Sequence, residues 1–255
     1  MMAARELRPL AGVVYCGNLA IVGASWIPTF LPRRRPLPSN FADQWTELLP
    51  WAAIAIAFIA CAIGEMRRYE KPGRVMVDLA CSSLALIYVG VFISILWRLR
   101  FLGGAEFGLS GLLTLIIVVK MGDIGAYAVG RLIGRHKMAP ILSPGKTWEG
   151  AVGAVAFATL GAWLSFKCVV PTLLPKADGV AFVADPWVCN SYGVAIGVTG
   201  LIGDLAESLL KRDAGVKDSS RWMPGFGGVL DILDSILLSA PVAYLYWSFL
   251  LLVYF

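Results

Sequence analysis

Seven stretches of this chain, 10–30, 48–64, 76–97, 107–130, 150–170, 190–210 and 228–254, are apolar over lengths that match a lipid bilayer. A helix needs about 20 such residues to cross the hydrocarbon core. In lipid every backbone N–H and C=O must be bonded internally, which makes helices the spanning form for runs of this length. The chain therefore reads as an all-α, polytopic integral membrane bundle of about seven transmembrane helices, within a range of six to nine. Composition agrees: 58% of the 255 residues are hydrophobic, 15% are charged, and the mean hydropathy is +0.73, far from a soluble domain. The fourth run contains Lys120 and Asp123, and the last can break at Pro241.

Lysines and arginines in the loops and near the ends of the runs set the orientation. With the N-terminus inside, inner segments hold fourteen of them and outer segments seven, the outer set including Arg33, Arg34 and Arg35. The count puts the N-terminus and both polar loops on the cytoplasmic side of a bacterial-type inner membrane. No small-residue cleavage site follows Arg8, so the first run reads as a span and not a cleaved signal. One membrane domain is expected, with N-terminal helices over 1–106 and a catalytic, motif-bearing region over 107–255. The net charge of +5 is carried by loops and suits anionic headgroups. No aromatic–basic interleaving points to nucleic acid. The five cysteines show no CxxC spacing and read as packing thiols.

Two segments break the apolar pattern. In the first, 203–235, Asp204, Glu207, Ser208 and Lys211 fall at i, i+3, i+4 and i+7 and share one helix face, which Gly193, Gly197 and Gly200 extend. A loop with Lys217, Asp218 and Arg221 follows, and then Asp231 and Asp234 share a face of the next run. These aspartates read either as interfacial carboxylates paired with Lys211 and Arg212, or as a functional site, the default for charges at membrane depth. Hard oxygen ligands of this kind suit Mg²⁺, which shares its shell with substrate phosphates, while the lysines and arginines suit the phosphates themselves.

In the second segment, 120–150, Lys120, Asp123 and Tyr127 share a face, as an internal ion pair or as part of a site. Beyond them, Ser143, Pro144, Gly145, Lys146 and Thr147 precede Trp148, Glu149 and Gly150 at the next helix start. The Gly-Lys-Thr triplet is not a complete nucleotide-binding loop, because position 140 is Pro and no strand precedes it. It reads either as a capped helix start or as a lysine, a hydroxyl and backbone N–H groups suited to a phosphate. The single histidine, His136, lies in a basic loop and reads as an exposed contact, which leaves carboxylates, metal and lysines for chemistry. The residues alone reach Mg²⁺-dependent phosphate chemistry at the inner face of a membrane.

Residues 120–235 resemble the phosphatidate cytidylyltransferases, the CDP-diacylglycerol synthases. Ser208, Leu210, Lys211, Arg212, Lys217, Asp218, Pro224, Gly225, Gly227, Gly228, Val229, Asp231 and Asp234 match that family's C-terminal signature in type and spacing. Asp123, Ala126, Tyr127, Gly130 and Arg131 resemble its D-x-x-A-Y-x-x-G-basic segment, and Ser143, Pro144, Lys146, Thr147, Glu149 and Gly150 its S-P-x-K-T-x-E-G segment. Two positions depart: Phe226 stands where the family usually has His, and Ile232 where it usually has Arg.

The resemblance implies transfer of CMP from CTP to phosphatidic acid at the bilayer, giving CDP-diacylglycerol and pyrophosphate. It implies Asp204, Asp231 and Asp234 as Mg²⁺ ligands, with a second, monovalent cation left open. Lys211, Arg212 and Lys217 would bind the triphosphate; Ser143, Lys146, Thr147 and Ser208 would position phosphate; Asp123 would support the ion or orient Lys120; Glu149 and Asp218 belong to the substrate-binding set. A homodimer is a further family expectation. The alternatives are a CTP-dependent polyprenol or lipid kinase, which would move the γ-phosphoryl group, and, more distantly, an ion or lipid transporter.

Overall fold

The computed structural model of the chain describes residues 11–30, 39–69, 72–73, 75–174, 185–216, 219–220 and 228–254, with the side chains of 27–30 and 39–47 left aside. In chain order the helices are α1 (Ala11–Phe30), α2 (Ser39–Arg68), α3 (Val75–Ala85), α4 (Phe92–Arg100), α5 (Ala105–Ile133), α6 (Trp148–Leu164), α7 (Val170–Leu173), α8 (Pro186–Asp213) and α9 (Val229–Tyr254). Wide π-helical turns, Leu86–Val91 and Ser165–Val169, join α3 to α4 and α6 to α7 without breaking the rod. Among the described residues six helical segments are long and apolar enough to cross a membrane, and the apolar part of α1, Ala11–Trp26, is a shorter seventh. The chain is a polytopic helical membrane bundle. Pro241 does not break the last helix, which runs unbroken from Val229 to Tyr254.

Contacts group into two compact units, Met1–Arg98 and Leu99–Phe255. In the first, α1 packs on α2 and on the π-helical turn around a core of Ile21, Ala57, Cys61 and Leu86. Close approach there depends on Gly17, where an added Cβ would stand 3.0 Å from the Ala57 Cβ.

In the second unit, α5, α6, α8 and α9 bury small residues against one another. With no hydrophobic drive between helices in lipid, close van der Waals packing across small side chains holds such a bundle together. A Cβ on Gly125 would lie 2.5 Å from the Gly153 carbonyl oxygen, and one on Gly153 would lie 2.5 Å from the Val129 Cβ, so α5 and α6 meet backbone to backbone. Gly203 brings α8 to within 3.0 Å of the Ser235 Cα of α9 by the same measure. Toward the other end of these helices an aromatic cluster fills the core. Phe166 packs edge-on to Tyr192, with ring centroids 5.4 Å apart, and Phe107 edge-on to Trp247 at 5.0 Å. The bundle is thus aromatic and tightly filled at one end and built of glycine and alanine near the polar end.

The one departure from an all-helical fold among the described residues is a hairpin between α5 and α6. Strand β1 (Lys137–Ala139) pairs antiparallel with β2 (Ser143–Thr147), Lys137 opposite Thr147 and Ala139 opposite Ser143. Pro144 is tolerated because a two-stranded sheet has only edge strands.

Candidate active site

A pocket of about 640 Å³ opens between α5, β2, α6, α8 and α9 of the second unit. Its charged lining is Lys120, Asp123, Arg131, Lys146, Asp204, Asp231 and Asp234. Tyr127, Ser143, Thr147 and Ser235 add hydroxyls, and Gly122, Ala154, Gly197 and Gly200 form much of the apolar wall. The two polar segments of the sequence therefore meet at one place, brought together by the small-residue packing of α5, α6 and α8.

Each side chain is held by its own local structure. Thr147 caps α6, its hydroxyl accepting from the Gly150 N–H at 3.1 Å, and this fixes the neighbouring Lys146 over the pocket. Lys146 Nζ lies 2.8 Å from Asp204 Oδ2 on α8. The approach is an ion-pair contact off hydrogen-bond alignment, and the buried ammonium makes no hydrogen bond within the described residues. On α5, Lys120 Nζ donates to Asp123 Oδ2 at 2.9 Å and to the Ile232 carbonyl of α9 at 3.4 Å. One turn beyond Tyr127, the Arg131 guanidinium donates to its phenol oxygen and lies over its ring.

Asp231 is engaged more fully than its neighbours. It reaches back from the first turn of α9 to accept the Gly228 N–H at 2.6 Å, the acidic half of a capping box. It also accepts from the Ser219 N–H and hydroxyl, at 3.0 and 2.9 Å, and from Lys211 Nζ at 3.0 Å. Lys211 in turn lies 2.6 Å from Glu207 Oε2, whose side chain is only 2% exposed. The chain Glu207–Lys211–Asp231 ties α8 to the start of α9. Asp234, also buried, accepts from the Ser235 N–H at 2.5 Å and lies in electrostatic range of Asp204 and Asp123.

Other residues singled out from the sequence support the pocket from outside it. Glu149 accepts from the Arg135 and His136 N–H groups at 3.1 and 3.2 Å and meets the exposed His136 Nδ1 at 2.6 Å, so its carboxylate clasps the base of the hairpin. Arg212 Nε donates to the Leu142 carbonyl at 3.3 Å, tying the end of α8 to the hairpin turn. Ser208 is half-buried on α8 and is not part of the pocket lining. Lys217, Asp218, Arg221, Pro224, Gly225, Phe226 and Gly227 lie outside the described residues.

Among the described residues no three His, Cys, Asp or Glu side chains gather closely enough to hold a metal ion by themselves. The donor set still fits Mg²⁺, which keeps several waters and needs only one or two protein carboxylates beside substrate phosphates. Asp123, Asp204 and Asp234, all at the pocket, are the carboxylates with that capacity; Asp231 is filled by Lys211, Ser219 and Gly228. Lys120 and Arg131 line the pocket and Glu207 buttresses it from below Lys211, although none of the three is among the site residues that the family resemblance implies. A lysine in mid-span and an arginine one turn from a tyrosine were the available signals, whereas nothing in the sequence shows that Glu207 is sealed under Lys211.

Fold and pocket together define an integral membrane protein whose helical bundle encloses a pocket of aspartates, lysines and an arginine. The chain belongs to the cytidylyltransferase family, whose profile matches residues 1–250. It is 34% identical over 254 residues to a Haemophilus influenzae protein named phosphatidate cytidylyltransferase, covering 97% of this chain and 84% of that one. A Brucella suis protein of the same name is 36% identical over 197 residues, 76% of this chain and 66% of the relative. One from Mycobacterium bovis is 34% identical over 175 residues, 69% of this chain, and the match spans about half, 52%, of that longer relative.

Proposed function

We propose that this protein transfers CMP from CTP to phosphatidic acid, giving CDP-diacylglycerol and pyrophosphate for phospholipid synthesis. A phosphate oxygen of the lipid attacks the α-phosphorus of CTP, the bond from that phosphorus to the bridging oxygen breaks, and pyrophosphate leaves with the electron pair. The supporting observation is that the 120–150 and 203–235 segments converge on one pocket that holds both lysines and carboxylates. The names of the bacterial relatives supply the substrates.

In this reading Lys146 and Arg131 bind phosphate oxygens and neutralise charge that develops on the leaving pyrophosphate. Thr147 and Ser143 orient the same groups. Asp204 and Asp234 would hold a Mg²⁺ ion, which would supply Lewis acidity at the phosphoryl oxygens. Asp231, Lys211 and Glu207 fix the start of α9 so that Asp234 stands at the pocket. A phosphate is already a nucleophile, so no general base is required. In this reading the pocket and the N-terminus are on the cytoplasmic side of the inner membrane, where CTP is present, an orientation that the lysine and arginine counts support.

The test is release of pyrophosphate from CTP by purified protein in detergent. Release that requires added phosphatidic acid supports the transferase. Release of CDP with a phosphorylated lipid instead assigns a CTP-dependent kinase.

A further inference from the structure

Lys120 is a cation of the pocket lining with no role in the transfer proposed for Lys146 and Arg131. It lies near the middle of α5, about 20 Å along the axis from the end at Ile133. A charge at that depth in a span is costly and marks function, with a partner close by. Asp123 is the obvious partner, but neutralising it does not require contact with α9, and Lys120 makes one, to the Ile232 carbonyl at 3.4 Å. An ammonium has three N–H donors. These two contacts use two, and the third remains for a ligand in the pocket that both Lys120 and Asp123 line. Their side chains are 42% and 43% exposed, so the pair is open to such a ligand. Position 232 is also where this chain departs from the signature, carrying isoleucine in place of arginine.

We infer that Lys120 supplies from α5 the positive charge absent at position 232 of α9, and that it binds a phosphate oxygen of a substrate. The inference rests on the CTP and phosphatidic acid reading. The phosphate belongs either to the nucleotide or to the lipid headgroup, and the two are separated by titrating each alone.

The full chain in detergent is compared as wild type, Lys120→Met, Lys120→Arg and the double variant Lys120→Met/Ile232→Arg. Equilibrium binding of CTP and, separately, of phosphatidic acid is measured beside KM, kcat and the Tm without ligand. Lys120→Met weakens one ligand roughly 10- to 100-fold, the worth of one charge-assisted hydrogen bond, with Tm unchanged. Lys120→Arg keeps most of the affinity, and adding Ile232→Arg to Lys120→Met recovers about tenfold. Unchanged affinity for both ligands in Lys120→Met overturns the inference, as does a double variant that binds no better than Lys120→Met. Binding is read without turnover, so a wild type that binds CTP and transfers nothing contradicts the proposed reaction while the Lys120 comparison still stands.

Discussion

Lys146, at the end of the hairpin, places its ammonium 2.8 Å from Asp204 Oδ2 on α8, which joins the two polar segments of the chain across the pocket. The lysine side chain is 17% exposed and the aspartate 41%. Removing the lysine therefore leaves a carboxylate that water can reach, while a phosphate in the pocket loses its most buried cation. Lys146→Met is expected to lower CMP transfer about 100-fold or more, equal to about 2.7 kcal/mol, with little change in Tm. A radiolabel assay beside a melting curve checks it; a loss of activity matched by loss of folding contradicts it.

Glu207 is expected to matter for stability. Its buried carboxylate pairs with Lys211, and truncating it removes one of the two acidic partners of that ammonium, Asp231 being the other, at a cost of about 1–3 kcal/mol. Glu207→Ala should lower Tm clearly more than Glu207→Gln, which can still accept from the lysine. Melting curves of the two purified variants decide it, and equal Tm values would contradict the buried clasp.

The glycines of the second unit divide by what a methyl group would meet. At Gly153 the nearest atom lies 2.5 Å from an added Cβ, at Gly200 3.8 Å. Gly153→Ala should destabilise the protein by forcing α5 and α6 apart, and Gly200→Ala should leave Tm within a degree or so. The same melting measurement distinguishes them; the reverse order would mean that the helices pack differently.

Glu149 clasps the hairpin base, so Glu149→Ala should speed amide hydrogen exchange at Arg135 and His136 while exchange in the core of α5 stays slow. Unchanged exchange at those two amides would show that the clasp does not hold the hairpin.

Much of this architecture is legible in the sequence, because a bilayer leaves few choices. The long apolar runs become helices, most within a few residues of their predicted ends, although α2 begins at Ser39, nine residues before the run that starts at 48, and the stripe through Asp204, Glu207 and Lys211 lies on one helix, α8. What the sequence withholds is partnership. Helical spacing puts Asp231 near a site, but that its oxygens are filled by Ser219, Gly228 and Lys211 depends on how the chain returns to α9. The hairpin of 137–147 is hidden because it is short, carries Pro140 and Pro144 and has no alternating pattern. The π-helical turns leave no mark in composition, and Pro241 suggests a break that neighbouring helices in a packed bundle can suppress. The contact between Lys120 and Ile232 joins residues distant in sequence and follows only from the packing of α5 against α9.

The most direct test of the central claim is the fate of two labels. Purified protein is given phosphatidic acid, Mg²⁺ and CTP labelled at either the α- or the γ-phosphorus, beside Asp204→Asn and a sample treated with EDTA. The account predicts α-label in the lipid as CDP-diacylglycerol and γ-label in pyrophosphate, with both lost in the variant and in EDTA. γ-Label in the lipid, or no label in lipid from folded protein that binds CTP, would contradict it.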